Sequence, residues 1–199
     1  MTQNYSIDQD LSEAETMVDG LETYLKGSEL YTSVGGGFLA FGNQPTMTVG
    51  VLLMRLRRLH ILEAQLNQQQ REKLGSINHR HAQIRDEWRA HYEKKLLREA
   101  KSRLDSIRQY FADVNQNREA INIYQPEQFR RTVVQDVLGA MKDMRILSAE
   151  LDQKVAAVDA QLRVLANERT AFLWDPQLEP AYPEKDYWWL YRKPRTAHV

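Results

Sequence analysis

The chain has 199 residues, 42% of them hydrophobic, with 27 basic and 27 acidic side chains and no cysteine. That length fits one domain with an appendage, and the absent thiols exclude disulfides, thiolate metal sites and cysteine nucleophiles. Zero net charge conceals an asymmetry, because residues 1–50 carry seven acids and one base whereas residues 51–110 carry fourteen bases and seven acids. Such a chain either neutralises itself inside the fold or recruits partners of opposite charge. A mean hydropathy of −0.61 with this much charge suits long helices, which have much surface for their volume. The acidic, polar stretch from Met1 to Asp10 is not expected to be a secretory or transit peptide.

The first helix is predicted over 7–26. Ile7, Leu11, Ala14, Val18, Leu21 and Leu25 fall on one helical stripe; Ser6 is placed to cap it and Gly27 to end it in a left-handed turn. Leu30 to Met54 then contains no charge, but Gly35, Gly36, Gly37, Asn43, Gln44 and Pro45 interrupt it. A loop over 28–46 is expected rather than a membrane span, with Leu30–Val34 pairing with Phe38–Phe41 in a short hairpin. The glycines lack the Gly-Lys-Ser/Thr ending of a phosphate cradle. The loop's apolar residues should tuck onto the helices or meet a partner.

A second helix is predicted over 48–72, capped by Thr46 or Thr48. One stripe runs through Met47, Val51, Met54 and Ile61, and another through Leu52, Leu56, Leu59, Leu62 and Leu66. Gly75 and Ser76 suggest a bend. The third helix follows over 77–115, with Leu97, Ala100, Leu104, Ile107, Phe111 and Val114 on one side. Pro126 opens a fourth, over 127–173. Its heptad frame runs through Val137, Met141, Met144, Leu151, Val155, Val158, Leu162, Leu165 and Phe172, with Ser148 and Arg169 in the polar slots. As one helix it would span roughly 65–70 Å and pair with the third in an antiparallel hairpin. Prolines 176, 180, 183 and 194 make residues 176–199 an extended or turn-like tail.

No catalytic or metal-binding constellation is visible among the side chains. The histidines are His60, His79, His81, His91 and His198; His79 and His81 lie two apart, which on a helix points their rings away from each other. Two other features invite binding. Lys94, Arg98, Lys101 and Arg108 recur at helical spacing and form a face able to contact phosphates, although neighbouring acids can neutralise it. Tyr182, Tyr187, Trp188, Trp189 and Tyr191, followed by Arg192, combine aromatic rings with cations as hot spots and stacking platforms do. The tail is expected to clasp the helices; docking onto another chain is the alternative, and base stacking the third reading.

The order of elements (a helix, a hairpin, then long helices) resembles that of prefoldin-like chaperone subunits, but the second half is too long for them. The expected fold is all-α: an elongated coiled-coil bundle over residues 1–175, built on an antiparallel long-helix hairpin, with a Gly-rich loop and the Pro/aromatic tail. The expected function is non-enzymatic, that of a cytoplasmic scaffold, adaptor or assembly subunit. It would have a protein partner or self-associate, and would need no cofactor, metal or small-molecule substrate. The alternative is a nucleic-acid-associated accessory protein using the basic third helix.

Overall fold

The computed structural model describes residues 4–33 and 46–195. The fold is all-α: α1 (Ile7–Lys26), α2 (Val49–Ile61), α3 (Gln68–Glu87), α4 (Arg89–Gln116), α5 (Gln125–Asp143) and α6 (Ala149–Leu165), with short 3-10 turns between some of them. Two antiparallel strand pairs are added, β1 (Thr32–Ser33) with β2 (Thr46–Met47), and β3 (Glu168–Arg169) with β4 (Arg192–Lys193). The chain forms two compact units, Ser6–Glu99 and a second that comprises Ala100 onward together with the segment up to Tyr5.

In the first unit α1 packs against α2 and α3. Its predicted stripe forms the core: Leu11, Ala14, Val18, Leu21 and Leu25 are buried, joined by Met17 and Tyr24. The Ser6 side chain accepts from the Gln9 N–H, as predicted, but Gly27 ends the helix in an extended conformation at φ −72°, not a left-handed one. The acidic first helix meets the cations of α2 and α3. Asp10, 3% exposed, pairs with Arg55 and lies 3.7 Å from Arg58. Glu13 also pairs with Arg55, Lys73 reaches Glu15 at 2.5 Å, and Arg80 reaches Asp19. Much of the charge asymmetry is thus neutralised within this unit.

The Phe38–Phe41 side of the predicted hairpin lies outside the described residues, as does Val34; the observed pairing is Thr32–Ser33 with Thr46–Met47. Thr48 is the cap of α2. The helix expected over 48–72 is divided. α2 stops at Ile61, a 3-10 turn follows, and α3 restarts at Gln68 on a capping box in which Asn67 and Gln70 exchange side-chain-to-backbone hydrogen bonds, both 2.9 Å. Two orphan donors are satisfied at that point, so the polar run Asn67–Gln70 starts a helix rather than continuing one. The early stop also leaves Ile61 48% exposed, outside the stripe assigned to it.

No bend occurs at Gly75, which lies inside α3 with open space where a Cβ would sit. Gly75→Ala should therefore raise stability by about 0.5–1 kcal/mol, read as a higher urea midpoint; a lower midpoint would show that the helix needs the glycine. The interruption falls instead at Trp88, between α3 and α4. Buried His81 and Tyr92 meet across it, Nε2 to hydroxyl, at 2.9 Å. Eleven residues of straight helix would separate them axially by about 16 Å, so the chain must kink there.

In the second unit α5 begins with Pro126 in its first turn, as predicted, but the long fourth helix does not form. α5 ends at Asp143, Arg145 takes φ 60°, and the Ile146 N–H donates to the Met141 carbonyl at 2.8 Å. This is a Schellman-type end in which arginine takes the position glycine usually fills. Ser148, read as a polar heptad slot, caps α6 by accepting from the Leu151 N–H. The two helices fold back on each other, and Arg131 of α5 grips Asp159 of α6 through two hydrogen bonds of 2.6 and 2.9 Å. Val137, Met141, Leu151, Val158 and Leu162 are buried as the stripe requires, but they are shared between two helices. Arg169 lies in β3. α6 runs beside α4 in the same direction, since Lys101 meets Glu150 at 2.8 Å and Asp105 meets Lys154 at 3.5 Å.

The tail, expected to be extended or turn-like, is mostly turns. A 3-10 turn over Pro176–Ala181 is capped by Asp175, and a second covers Trp188–Tyr191 before β4 returns to β3.

Candidate functional site

The tail residues singled out in the sequence are mostly inside the second unit. Tyr182 is fully buried; Trp189 and Tyr187 are 1% and 2% exposed, Trp188 and Tyr191 are also buried, and Arg192 is half-buried. Their receptor is one face of α5. Gln128, Thr132 and Asp136, spaced four apart, respectively donate to the Trp189 carbonyl at 3.1 Å, accept from the Trp189 indole N–H at 2.9 Å and accept from the Tyr187 hydroxyl at 2.8 Å. Arg131 stacks 4.1 Å from the Trp189 ring and Arg163 4.0 Å from Trp188. Such contacts occupy the faces that a nucleobase or a partner would need.

The four basic residues lie along α4, and three have partners in the chain. Arg98 donates to the Ser28 carbonyl at 2.9 Å, Lys101 pairs with Glu150, and Arg108 lies 4.0 Å from Asp105. Lys94 is exposed. The acids of α1 pair with Arg55, Lys73 and Arg80 rather than with these four. Among the histidines, His81 is buried on Tyr92, and burial lowers its pKa to about 4, with help from the nearby Arg85 cation. It is neutral at physiological pH and pins the kink. No group of acids and histidines able to hold a metal is found among the described residues.

What the sequence did not suggest is a cleft of about 850 Å³ between α4 and α6. Phe111 and Val114 of α4, Val164 and Leu165 of α6, and Ile121 of the following 3-10 turn supply its apolar surface. Val164 is 77% exposed. The polar rim consists of the amides Asn115, Gln161 and Asn167 with the guanidinium groups of Arg118 and Arg195, and no acidic residue lines it. A shallower extension of about 450 Å³ shares Phe111, Asn115 and Gln161 and continues to Arg108 and Asp105. The offset that pairs Lys101 with Glu150 and Asp105 with Lys154 also sets Phe111 opposite Ala160 and Asn115 opposite Val164. Helix register therefore builds the cleft. Such a surface can hold an apolar body and pair with its negative charges.

A second buried feature lies in the first turn of α5. Glu127 is 4% exposed, with Oε1 accepting from Arg130 and Oε2 lacking a hydrogen-bond partner. Burial pushes its pKa from 4.5 up to about 7, against the pull of Arg130. Because the folded value is raised, the stabilisation belongs to the protonated form: it is complete below pH 4.5 and lost as pH rises through about 7. Glu127→Gln, which stays neutral, should escape that loss. Between pH 5 and pH 8 the wild type should lose about 1–3 kcal/mol relative to the variant in urea unfolding. Parallel profiles would show that Arg130 fully compensates the charge.

Fold and cleft together define an all-α protein with an exposed apolar channel between two parallel helices. No protein-family model, curated protein or solved structure matches the chain. No helix among the described residues is long and apolar enough to cross a membrane.

Proposed function

We propose that the protein is a non-enzymatic interaction module, an adaptor or assembly subunit of the cytoplasm, which binds another protein through the α4–α6 cleft. The observation that carries this reading is the concave apolar lining there: Val164 is 77% exposed, Ile121 and Leu165 are half-buried, and buried Phe111 and Val114 form the floor. Single exposed apolar residues are ordinary, but several lining one concave surface mark a contact site. The aromatic tail supports the reading only indirectly, as the segment whose rings brace α5. The nucleic-acid alternative has less behind it, since Arg98, Lys101 and Arg108 already face oxygen atoms of the chain itself.

The test is photocrosslinking in cells, with benzoylphenylalanine placed at Val164 and, as control, at exposed Ser12 of α1. A protein adduct of defined mass at the first position and not at the second is expected. Equal incorporation without any adduct at Val164 would overturn the reading.

A further inference from the structure

Resting on that reading, we propose that the cleft takes an acidic amphipathic helix of three to four turns from a partner protein. Its long walls, residues 111–115 of α4 and 160–165 of α6, are helical, and the short β3–β4 pair only adjoins one end through Asn167 and Arg195, so an extended peptide finds no strand running along the cleft to which it could add. A bound segment must satisfy its own N–H and C=O groups, and a helix does so while presenting one apolar stripe. The dimensions agree. From Asp105 to Asn115 the α4 wall runs about 15 Å, and the turn bearing Arg118 and Ile121 extends it. Two parallel helices with a trough between them seat a third by ridges-into-grooves packing.

Charge selects the sign of the flanks. Arg118 and Arg195 stand on the rim of the main cleft, whereas Arg108 of the extension already faces Asp105. The one acid of the extension, Asp105, already has Arg108 at 4.0 Å and Lys154 at 3.5 Å. Glutamates beside the apolar stripe would meet the Arg118 and Arg195 guanidinium groups, while lysines would be repelled.

The experiment uses the full chain and two fluorescein-labelled, helix-forming peptides of about 14 residues. Both carry leucines at i, i+3, i+4, i+7 and i+11, with glutamates on the flanks of one and lysines on the flanks of the other. Fluorescence anisotropy should show the glutamate peptide binding at least about tenfold more tightly. Arg118→Glu with Arg195→Glu should reverse that preference, and Val164→Glu should weaken both peptides, with circular dichroism confirming that each variant is folded. Equal binding of the two peptides, or binding indifferent to Val164→Glu, would overturn the proposal, as would no binding of either. So would a dimer in light scattering that Val164→Glu dissolves, since a second copy would then be the occupant. A crosslinked protein at Val164 together with failure of the glutamate peptide would refute only the acidic-helix assignment, whereas absence of a crosslink would refute the interaction reading itself.

Discussion

Trp189→Ala is expected to destabilise the second unit by about 3–5 kcal/mol. The side chain is 1% exposed, its indole N–H is held by Thr132 at 2.9 Å, Arg131 covers its face at 4.1 Å, and Tyr187 and Trp188 meet it edge-on at 5.6 and 5.7 Å. Truncation removes the ring, leaves a cavity against α5 and exposes Arg131 to a site that no longer shields it. Thr132→Val isolates one component. It keeps the shape but strands a buried N–H, which costs about 1–3 kcal/mol. Thermal and urea unfolding followed by near-ultraviolet circular dichroism, which reports these rings, is the measurement. Trp189→Ala should lower the midpoint more than Thr132→Val, and deletion of residues 182–199 should lower it further. An unchanged midpoint after deletion would mean that the tail braces nothing and is available for docking.

These contacts show where reading the sequence succeeds and where it stops. The extent of α1 was legible because the stripe from Ile7 to Leu25 lies between the Ser6 cap and Gly27, although Gly27 ends the helix in an extended and not the predicted left-handed conformation. The break before α3 was not, because its start is an Asn67/Gln70 box embedded in a polar run that resembles helix surface. The turn between α5 and α6 was hidden twice. Its positive-φ residue is Arg145 rather than glycine, and the apolar heptad happens to keep phase across it, with the cap Ser148 falling in an allowed polar slot. The aromatic richness of the tail was plain, but its receptor was not: Gln128, Thr132 and Asp136 share a short helix with buried Val133, Val134 and Val137, and only their four-residue spacing distinguishes them as one polar line. The cleft lay furthest from view. It depends on α6 lying beside α4, and a continuous fourth helix would have carried Val164 far from Asn115.

The first unit carries the other large expected effect, at Glu99. This side chain is fully buried at the start of α2, where Oε1 accepts from the Thr48 hydroxyl at 2.6 Å and Oε2 from the Gly50 N–H at 2.7 Å. Thr48 in turn accepts from the Val51 N–H at 3.1 Å. Two N-terminal amide donors of α2 are thus satisfied, one directly and one through a relayed cap, at the end of the helix whose dipole favours an acidic partner. Glu99→Ala leaves the Gly50 N–H buried without its acceptor and the Thr48 hydroxyl without its anchor, a loss expected at about 2–4 kcal/mol. Glu99→Gln should cost less, because its amide oxygen can still accept from Gly50 while its NH2 donates to the Thr48 oxygen. Since the site excludes solvent, the loss in Glu99→Ala should be nearly the same at low and high salt. The decisive measurement is a double-mutant cycle with Thr48→Val in urea unfolding. If the cap and the carboxylate act as one device, the combined loss falls short of the sum of the two single losses. Additive losses would show that Glu99 and Thr48 stabilise α2 independently, and that the 2.6 Å hydrogen bond between them does not couple them.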